Sequence, residues 1–204
     1  MRSAAEVLLE GIRAGQFGGD IKPHGEHAMG FVAFLDDPAQ EFTGHVVDLG
    51  SGAGLPALIL ADAFPETTWS LIERRSGRTD LLRRAISRLE LEDRVEVLTA
   101  DAATLAHGEL RGAADWVTAR SFGPPADTAE CALGFLRPGG LLLTSEPEST
   151  VVSDRWPEEG LAATGLQFSD EWRTDYGRYV SLCRNTEPLL DLPRSGARKR
   201  LLFG

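Results

Sequence analysis

Val47-Asp48-Leu49-Gly50-Ser51-Gly52-Ala53-Gly54-Leu55-Pro56 is the stretch from which the fold is read. A short apolar run closes on Gly50 and an apolar helical run opens after Gly54, so the glycines stand at a strand-to-helix turn. That setting gives a glycine motif its meaning. Glycines let the backbone turn sharply and approach a ligand with no Cβ in the way. The helix behind them offers free N–H groups to an anionic group, and Pro56 suits the first turn of that helix, where no hydrogen bond is lost. The competing reading is a tight turn and nothing more.

The spacing separates two kinds of ligand. Dinucleotide binders favour G-x-G-x-x-G, with the helix N-terminus on a pyrophosphate. Here the pattern is G-x-G-x-G, and Asp48 stands two residues before the first glycine. S-adenosylmethionine has no phosphate. Its amino acid end needs an acceptor for the ammonium and N–H donors for the carboxylate, and an acid ahead of the loop suits the first need. Asp48, Gly50, Ser51, Gly52, Gly54 and Leu55 are therefore the candidate residues for that end of the cofactor. Glu73, 23 residues after Gly50, stands where an acid accepts both ribose hydroxyls; the alternative is a solvent-facing acid beside Arg74 and Arg75. Asp101, with the backbone of Ala102 and Ala103, is placed to face the adenine edge; the alternative for Asp101 is a helix cap.

Outward from this turn the chain alternates strand and helix patterns. Strands are predicted over residues 45–49, 69–73, 94–98, 116–119 and 141–144, and helices over 55–64, 79–91 and 128–136, with Arg137-Pro138-Gly139-Gly140 as a tight turn into the fifth strand. Such alternation implies βαβ units and a parallel sheet covered on both faces. Residues 166–173 and 179–184 flank Asp175-Tyr176-Gly177-Arg178, a hairpin turn. Upstream, Val7, Leu8 and Ile12 recur at helical spacing until Gly15, Gly18 and Gly19, and a second helix is predicted over 25–35. The division read from this is a helical extension over residues 1–40, a cofactor-binding domain over 41–190 and a basic tail over 191–204. The hairpin closing a parallel sheet is by analogy a trait of class I methyltransferases: a Rossmann-like α/β fold, a mostly parallel seven-stranded sheet with a C-terminal antiparallel hairpin and helices on both faces.

Composition bounds the possibilities. With 204 residues, 42% hydrophobic and 25% charged, the chain suffices for one substantial core. No apolar run approaches the roughly 18 residues of a membrane span, and no signal peptide is read at the N-terminus. Cys131 and Cys183 are read as reduced core residues of a cytoplasmic protein, and no metal site is read. The net charge of −10 argues against a generic DNA or RNA binder. The charge is uneven: residues 191–204 carry a local +3, which leaves −13 for the rest, and this tail is read as the one dense basic patch.

The glycine turn Gly50-Ser51-Gly52-Ala53-Gly54-Leu55-Pro56 resembles that of the bacterial 16S ribosomal RNA (guanine-N7) methyltransferases, also known as the glucose-inhibited division protein B family. Ser70-Leu71-Ile72-Glu73-Arg74-Arg75, Val117-Thr118-Ala119-Arg120-Ser121, Leu136-Arg137-Pro138-Gly139-Gly140 and Leu192-Pro193-Arg194-Ser195-Gly196-Ala197-Arg198-Lys199-Arg200 are similar to further stretches of that family. His24 or His27 matches a histidine of its N-terminal helix. Two positions depart from it. Ala100 and Ala102 stand where the family usually has an arginine and a glutamate, and Thr144-Ser145-Glu146-Pro147 stands where it usually has a lysine-glycine pair.

The resemblance implies an S-adenosylmethionine-dependent methyltransferase acting on N7 of a guanine, with ribosomal RNA or the small ribosomal subunit as partner, and neither DNA nor a membrane. It implies that Arg120 lines the active face, positioning substrate or cofactor, and that Arg194, Arg198, Lys199 and Arg200 contact RNA phosphates. Two rival functions stay open: methyl transfer to a small molecule or a protein, and a non-catalytic module that keeps the fold for regulation or interaction.

Overall fold

Strand β1 (Gly44–Leu49) is the centre of the sheet, and its last four residues are all buried. Burial of successive residues requires cover on both faces, which is why Val46, Val47 and Leu49 are apolar, with Asp48 the one polar side chain of the four. In the computed structural model, which describes residues 3–4, 6–8, 21–188, 191–194 and 201–203, β1 pairs in parallel with β2 (Thr67–Glu73) and with β4 (Ala114–Ala119). β3 (Val95–Thr99) extends the sheet beyond β2, and β5 (Leu136–Glu146) beyond β4, again in parallel. β6 (Leu166–Thr174) and β7 (Gly177–Arg184) form an antiparallel hairpin, and β7 docks antiparallel on β5. The strand order is β3-β2-β1-β4-β5-β7-β6. The expected seven-stranded, mostly parallel sheet with a closing hairpin is thus the fold.

Two apolar clusters lie on the two faces. Helices α1 (Ile21–Leu35), α2 (Ala57–Ala63) and α3 (Ser76–Leu89) pack with Val46, Trp69, Leu71, Trp116 and Tyr179. Helices α4 (Ala102–Leu105), α5 (Pro125–Phe135), α6 (Val152–Arg155) and α7 (Glu158–Thr164) pack with Val47, Ile72, Val117, Leu142 and Val180. The partition follows the period-2 alternation of strand side chains: each strand sends neighbouring residues to opposite clusters. The strand order reverses between β1 and β4, and open α/β sheets bind ligands in the crevice outside the carboxyl ends at such a point.

Several predicted boundaries move. α1 starts at Ile21, and α5 starts at Pro125, whose ring suits a first helical turn. α2 begins at Ala57 rather than Leu55, because Leu55 and Pro56 still belong to the turn. The largest difference is in β5. Arg137-Pro138-Gly139-Gly140 is not a turn ahead of the strand but an irregularity within it: pairing jumps from Ala114 with Leu136 to Trp116 with Leu141. α6 and α7 are additional, and too short for a helical period to show in the sequence. Of the predicted first helix, Val7 and Leu8 are helical and buried; Ile12 and the glycines after it lie outside the described residues. Among the described residues no helix is long and apolar enough to cross a membrane, and both cysteines are free.

Candidate active site

The glycine turn owes its composition to backbone geometry. Gly50, Gly52 and Gly54 have φ of 68°, 54° and 92°, the left-handed side that favours glycine. At Gly54 a Cβ would also lie 2.5 Å from Cδ1 of Leu58, so the close approach of α2 requires hydrogen there. Ser51 ties the turn together. Its amide donates to Ile72 O at 3.0 Å and its hydroxyl to Asp48 O at 3.1 Å.

Asp48 is 1% exposed. Its Oδ1 accepts from the Thr118 hydroxyl at 2.6 Å, while Oδ2 has no hydrogen-bond partner. Burial pushes its carboxyl up from the ordinary value, against the pull of the Thr118 hydroxyl and the Arg120 charge. An orphaned carboxylate oxygen in a dry site is costly to keep. Thr118 is its neighbour in register on β4; it was not singled out from the sequence, where a lone hydroxyl near the end of β4 was the available signal.

Glu73, at the end of β2, is buried and not solvent-facing. Its carboxylate accepts from the amides of Gly52 at 3.2 Å and Arg75 at 2.9 Å, and the Arg78 guanidinium stands 3.6 Å away. Asp101 does cap α4, accepting from the Thr104 amide at 3.2 Å, and it also borders the cleft. Capping occupies only part of a carboxylate's acceptor capacity, so the two readings of Asp101 coexist.

Gly50, Glu73, Asp101 and Ala102 converge on one cleft of about 420 Å³, which Arg74, Arg75, Arg78 and Phe122 also line. It opens at the carboxyl ends of the strands, at the switch point. Leu55 packs in the first apolar cluster instead, and Ala103 packs against the second. Asp48, Ser51, Gly52 and Gly54 form the turn behind the cleft wall.

A second cavity of about 290 Å³ adjoins the first, and residues 121–123 border both. Ser121 holds φ of 55°, an uncommon conformation for a residue with a side chain. Phe122, Trp156, His27, Thr144 and Glu146 line this second cavity. Glu146 has a side chain only 1% exposed, ion-paired with Arg155 and accepting from Trp156 Nε1 at 2.9 Å. The His27 imidazole is held at a pKa of about 4 by burial, then by the charges of Arg120 and His24. His27, Phe122 and Glu146 were not assigned site roles from the sequence, because distant loops and helix faces bring them together.

Arg120 follows β4 directly and is half-buried. Its guanidinium lies 3.4 Å from both the carbonyl oxygen and Nδ1 of His24, between Asp48 and α1. It borders neither cavity, whereas it was expected to line the active face. Arg194, expected as an RNA contact, is engaged within the fold. Its guanidinium forms a two-pronged pair with Glu130, at 3.2 and 2.6 Å, and the Glu130 side chain is fully buried. Arg198, Lys199 and Arg200 lie outside the described residues. A further cavity, about 650 Å³ between α6, α7 and the edge strand β6, is lined by none of the predicted site residues.

Comparison with known proteins follows the same geometry. The rRNA small subunit methyltransferase G family matches residues 29–150, which include both walls of the cleft. Proteins named ribosomal RNA small subunit methyltransferase G are 39% identical over 111 residues in Salinispora tropica and 42% identical over 133 residues in Thermobifida fusca. These stretches cover 52% and 65% of this chain and 45% and 54% of those proteins. The chain thus spans about half the length of the curated relatives it matches. Among solved structures, an O-methyltransferase family protein from Burkholderia thailandensis superposes with a TM-score of 0.58 at 19% identity, over 78% of this chain and 56% of that one. TYW2 of Pyrococcus horikoshii, solved in complex with MeSAdo, gives 0.54 at 17% identity, over 82% and 62%. At such identities the structures speak for the fold alone.

Proposed function

Since the chain belongs to the rRNA small subunit methyltransferase G family, we propose that it is an S-adenosylmethionine-dependent methyltransferase that modifies N7 of a guanine in small-subunit ribosomal RNA. The observation that carries this reading is the pair of adjoining cavities with a shared wall at residues 121–123. One cavity suits the cofactor, the other the acceptor base.

The residues present fit the cofactor. Asp48 offers a buried oxygen without a partner beside the glycine turn, suited to an ammonium directly or through water. Glu73 keeps acceptor capacity for the ribose hydroxyls. Asp101 and Ala102 border the cleft where an adenine edge would lie. When bound, the cofactor supplies a methyl group on a sulfonium.

Guanine N7 needs no proton removed, because its lone pair is free. Methyl transfer to N7 would leave the positive charge on the base, with no proton to be moved. The protein's task is to align the reactants, exclude water and tolerate that charge. Phe122 and Trp156 offer apolar ring surface to a base, and Glu146 is a carboxylate on the wall of the same cavity. Arg120, set between Asp48 and α1, is a positioning residue.

Methyl transfer to small ribosomal subunits lacking the modification, followed by mass spectrometry of the RNA, tests this reading. The expected result is one added methyl group on a guanine, removed by Asp48→Ala. A folded, cofactor-binding protein that leaves the subunits unmodified overturns the RNA reading. Turnover on metabolites would then point to a small acceptor, and no turnover at all to a regulatory module.

A further inference from the structure

The described arginines fall into two groups. Arg78, Arg83, Arg94, Arg111, Arg120, Arg137, Arg155, Arg173, Arg178, Arg184 and Arg194 all have side-chain partners: carboxylates, carbonyl oxygens or, for Arg120, His24. Arg74, Arg75, Arg84 and Arg88 are exposed, and among the described residues their side chains have neither ion pair nor hydrogen bond. All four lie on one segment, the end of β2 and the length of α3. Residues 74–88 hold six arginines against one aspartate, a net of +5 in a chain whose total is −10, which leaves −15 for the rest.

This placement is locally unfavourable twice over. Arg74, Arg75 and Arg78 crowd the N-terminal end of α3, whose first turn carries no acid. Cations there oppose the helix dipole. Arg84 and Arg88 stand four residues apart on the exposed side, a like-charge pair that weakens a helix. The nearest acid on that side, Asp80, is already taken by Arg83 at 3.3 Å. A polyanion laid along α3 relieves both costs at once.

We propose that α3 and the preceding arginines form a ridge that docks the phosphate backbone of RNA and leads it to the cofactor cleft. Arg74, Arg75 and Arg78 line the mouth of that cleft, so a strand held on the ridge arrives at the site. An acidic protein is the less suitable partner. Protein interfaces have an apolar core, and the exposed large apolar residues, Met29, Val151, Phe168 and Tyr176, all lie outside this segment. The inference rests on the RNA reading above for the identity of the polyanion. It shifts the main phosphate contact from the C-terminal tail to α3, on the outer side of β2 and β3.

Arg84 and Arg88 provide the test, because they lie on the helix away from the cleft. Binding of the double variant Arg84→Gln/Arg88→Gln to an unmodified small-subunit ribosomal RNA transcript is measured from about 50 to about 200 mM KCl. Losing two phosphate contacts lowers the log–log salt slope by about 1.4 to 1.8. S-adenosylmethionine affinity stays as in the parent, and Tm is equal to or slightly above the parent's, because the like-charge pair on α3 is relieved. Arg173→Gln, which removes one positive charge from an ion pair on β6, leaves the slope unchanged. A double variant with the parent's affinity and slope overturns the proposal, as does a parent that does not bind the transcript. Methyl transfer to small subunits, assayed in parallel, separates the two readings: transfer with an unaltered slope keeps the activity and discards the ridge. A lowered slope without transfer by the parent does the reverse.

Discussion

Asp48 concentrates the chemistry of the site in one side chain. It is buried, half-satisfied by Thr118, and held above its ordinary pKa by desolvation. A carboxyl whose folded pKa exceeds its unfolded value binds a proton more tightly in the fold. It favours folding at low pH, and that contribution is lost as pH rises through the unfolded and then the folded value. At neutral pH the ionised group is therefore a cost. Asp48→Asn keeps an acceptor for Thr118 and removes the charge. We expect it to raise Tm at pH 7, with the gain shrinking as the pH is lowered toward the ordinary range of aspartate, and to weaken S-adenosylmethionine by about 1.5–3 kcal/mol. Thermal melts across pH and calorimetry with the cofactor check the two halves. A variant that is less stable at neutral pH yet binds the cofactor unchanged would make Asp48 a structural residue. Asp48 and Glu73 could be singled out from sequence as candidates because their candidacy rests on distance to the glycine turn along the chain. The pairing of Arg194 was not legible because its partner, Glu130, lies 64 residues away, and nothing local in the sequence announces it.

At the scale of elements, the turn between β1 and α2 sets how closely the helix sits over the sheet. Gly54 combines φ of 92° with Leu58 at the position a Cβ would need. Gly54→Ala must shift the turn or displace Leu58, which is fully buried against the sheet. Backbone strain of this kind costs about 1–3 kcal/mol, and forced repacking adds a similar amount. Equilibrium denaturation should show a loss of at least about 2 kcal/mol, with weaker cofactor binding because the turn moves. A loss within about 0.5 kcal/mol, the usual range for a surface change, would mean that the turn relaxes freely. Strands buried on both faces were legible because continuous apolar runs bounded by glycine admit few other assignments. β5 was not: Pro138, Gly139 and Gly140 are turn residues by composition, and only pairing with β4 keeps them inside a strand. The arginines of α3 were visible in the sequence too. Their meaning needed the helix, which turns Arg84 and Arg88 outward and shows that no acid answers them.

For the whole molecule, the question is what binds the end of the chain to the body. Arg194 pairs with a fully buried Glu130 on α5, and His107 lies 2.8 Å from the neighbouring Pro193 carbonyl. Further on, Phe203 packs near Trp156, with ring centroids 6.2 Å apart. Arg194 is thus held on α5 and Phe203 beside Trp156 and Gly160. Removing one partner of a buried pair strands the other charge in a medium that solvates it poorly. Arg194→Ala should therefore destabilise the protein by about 3 kcal/mol, the low end for a broken buried pair, since the amide of residue 194 still donates to Glu130. The double variant Glu130→Gln/Arg194→Gln removes the stranded charge and should recover much of that loss, a coupling that a double-mutant cycle isolates. If Arg194 were instead a free RNA contact, Arg194→Ala would leave stability untouched and lower the salt slope of RNA binding by about 0.7. Denaturation and filter binding on the same preparation decide between an anchor and a phosphate ligand.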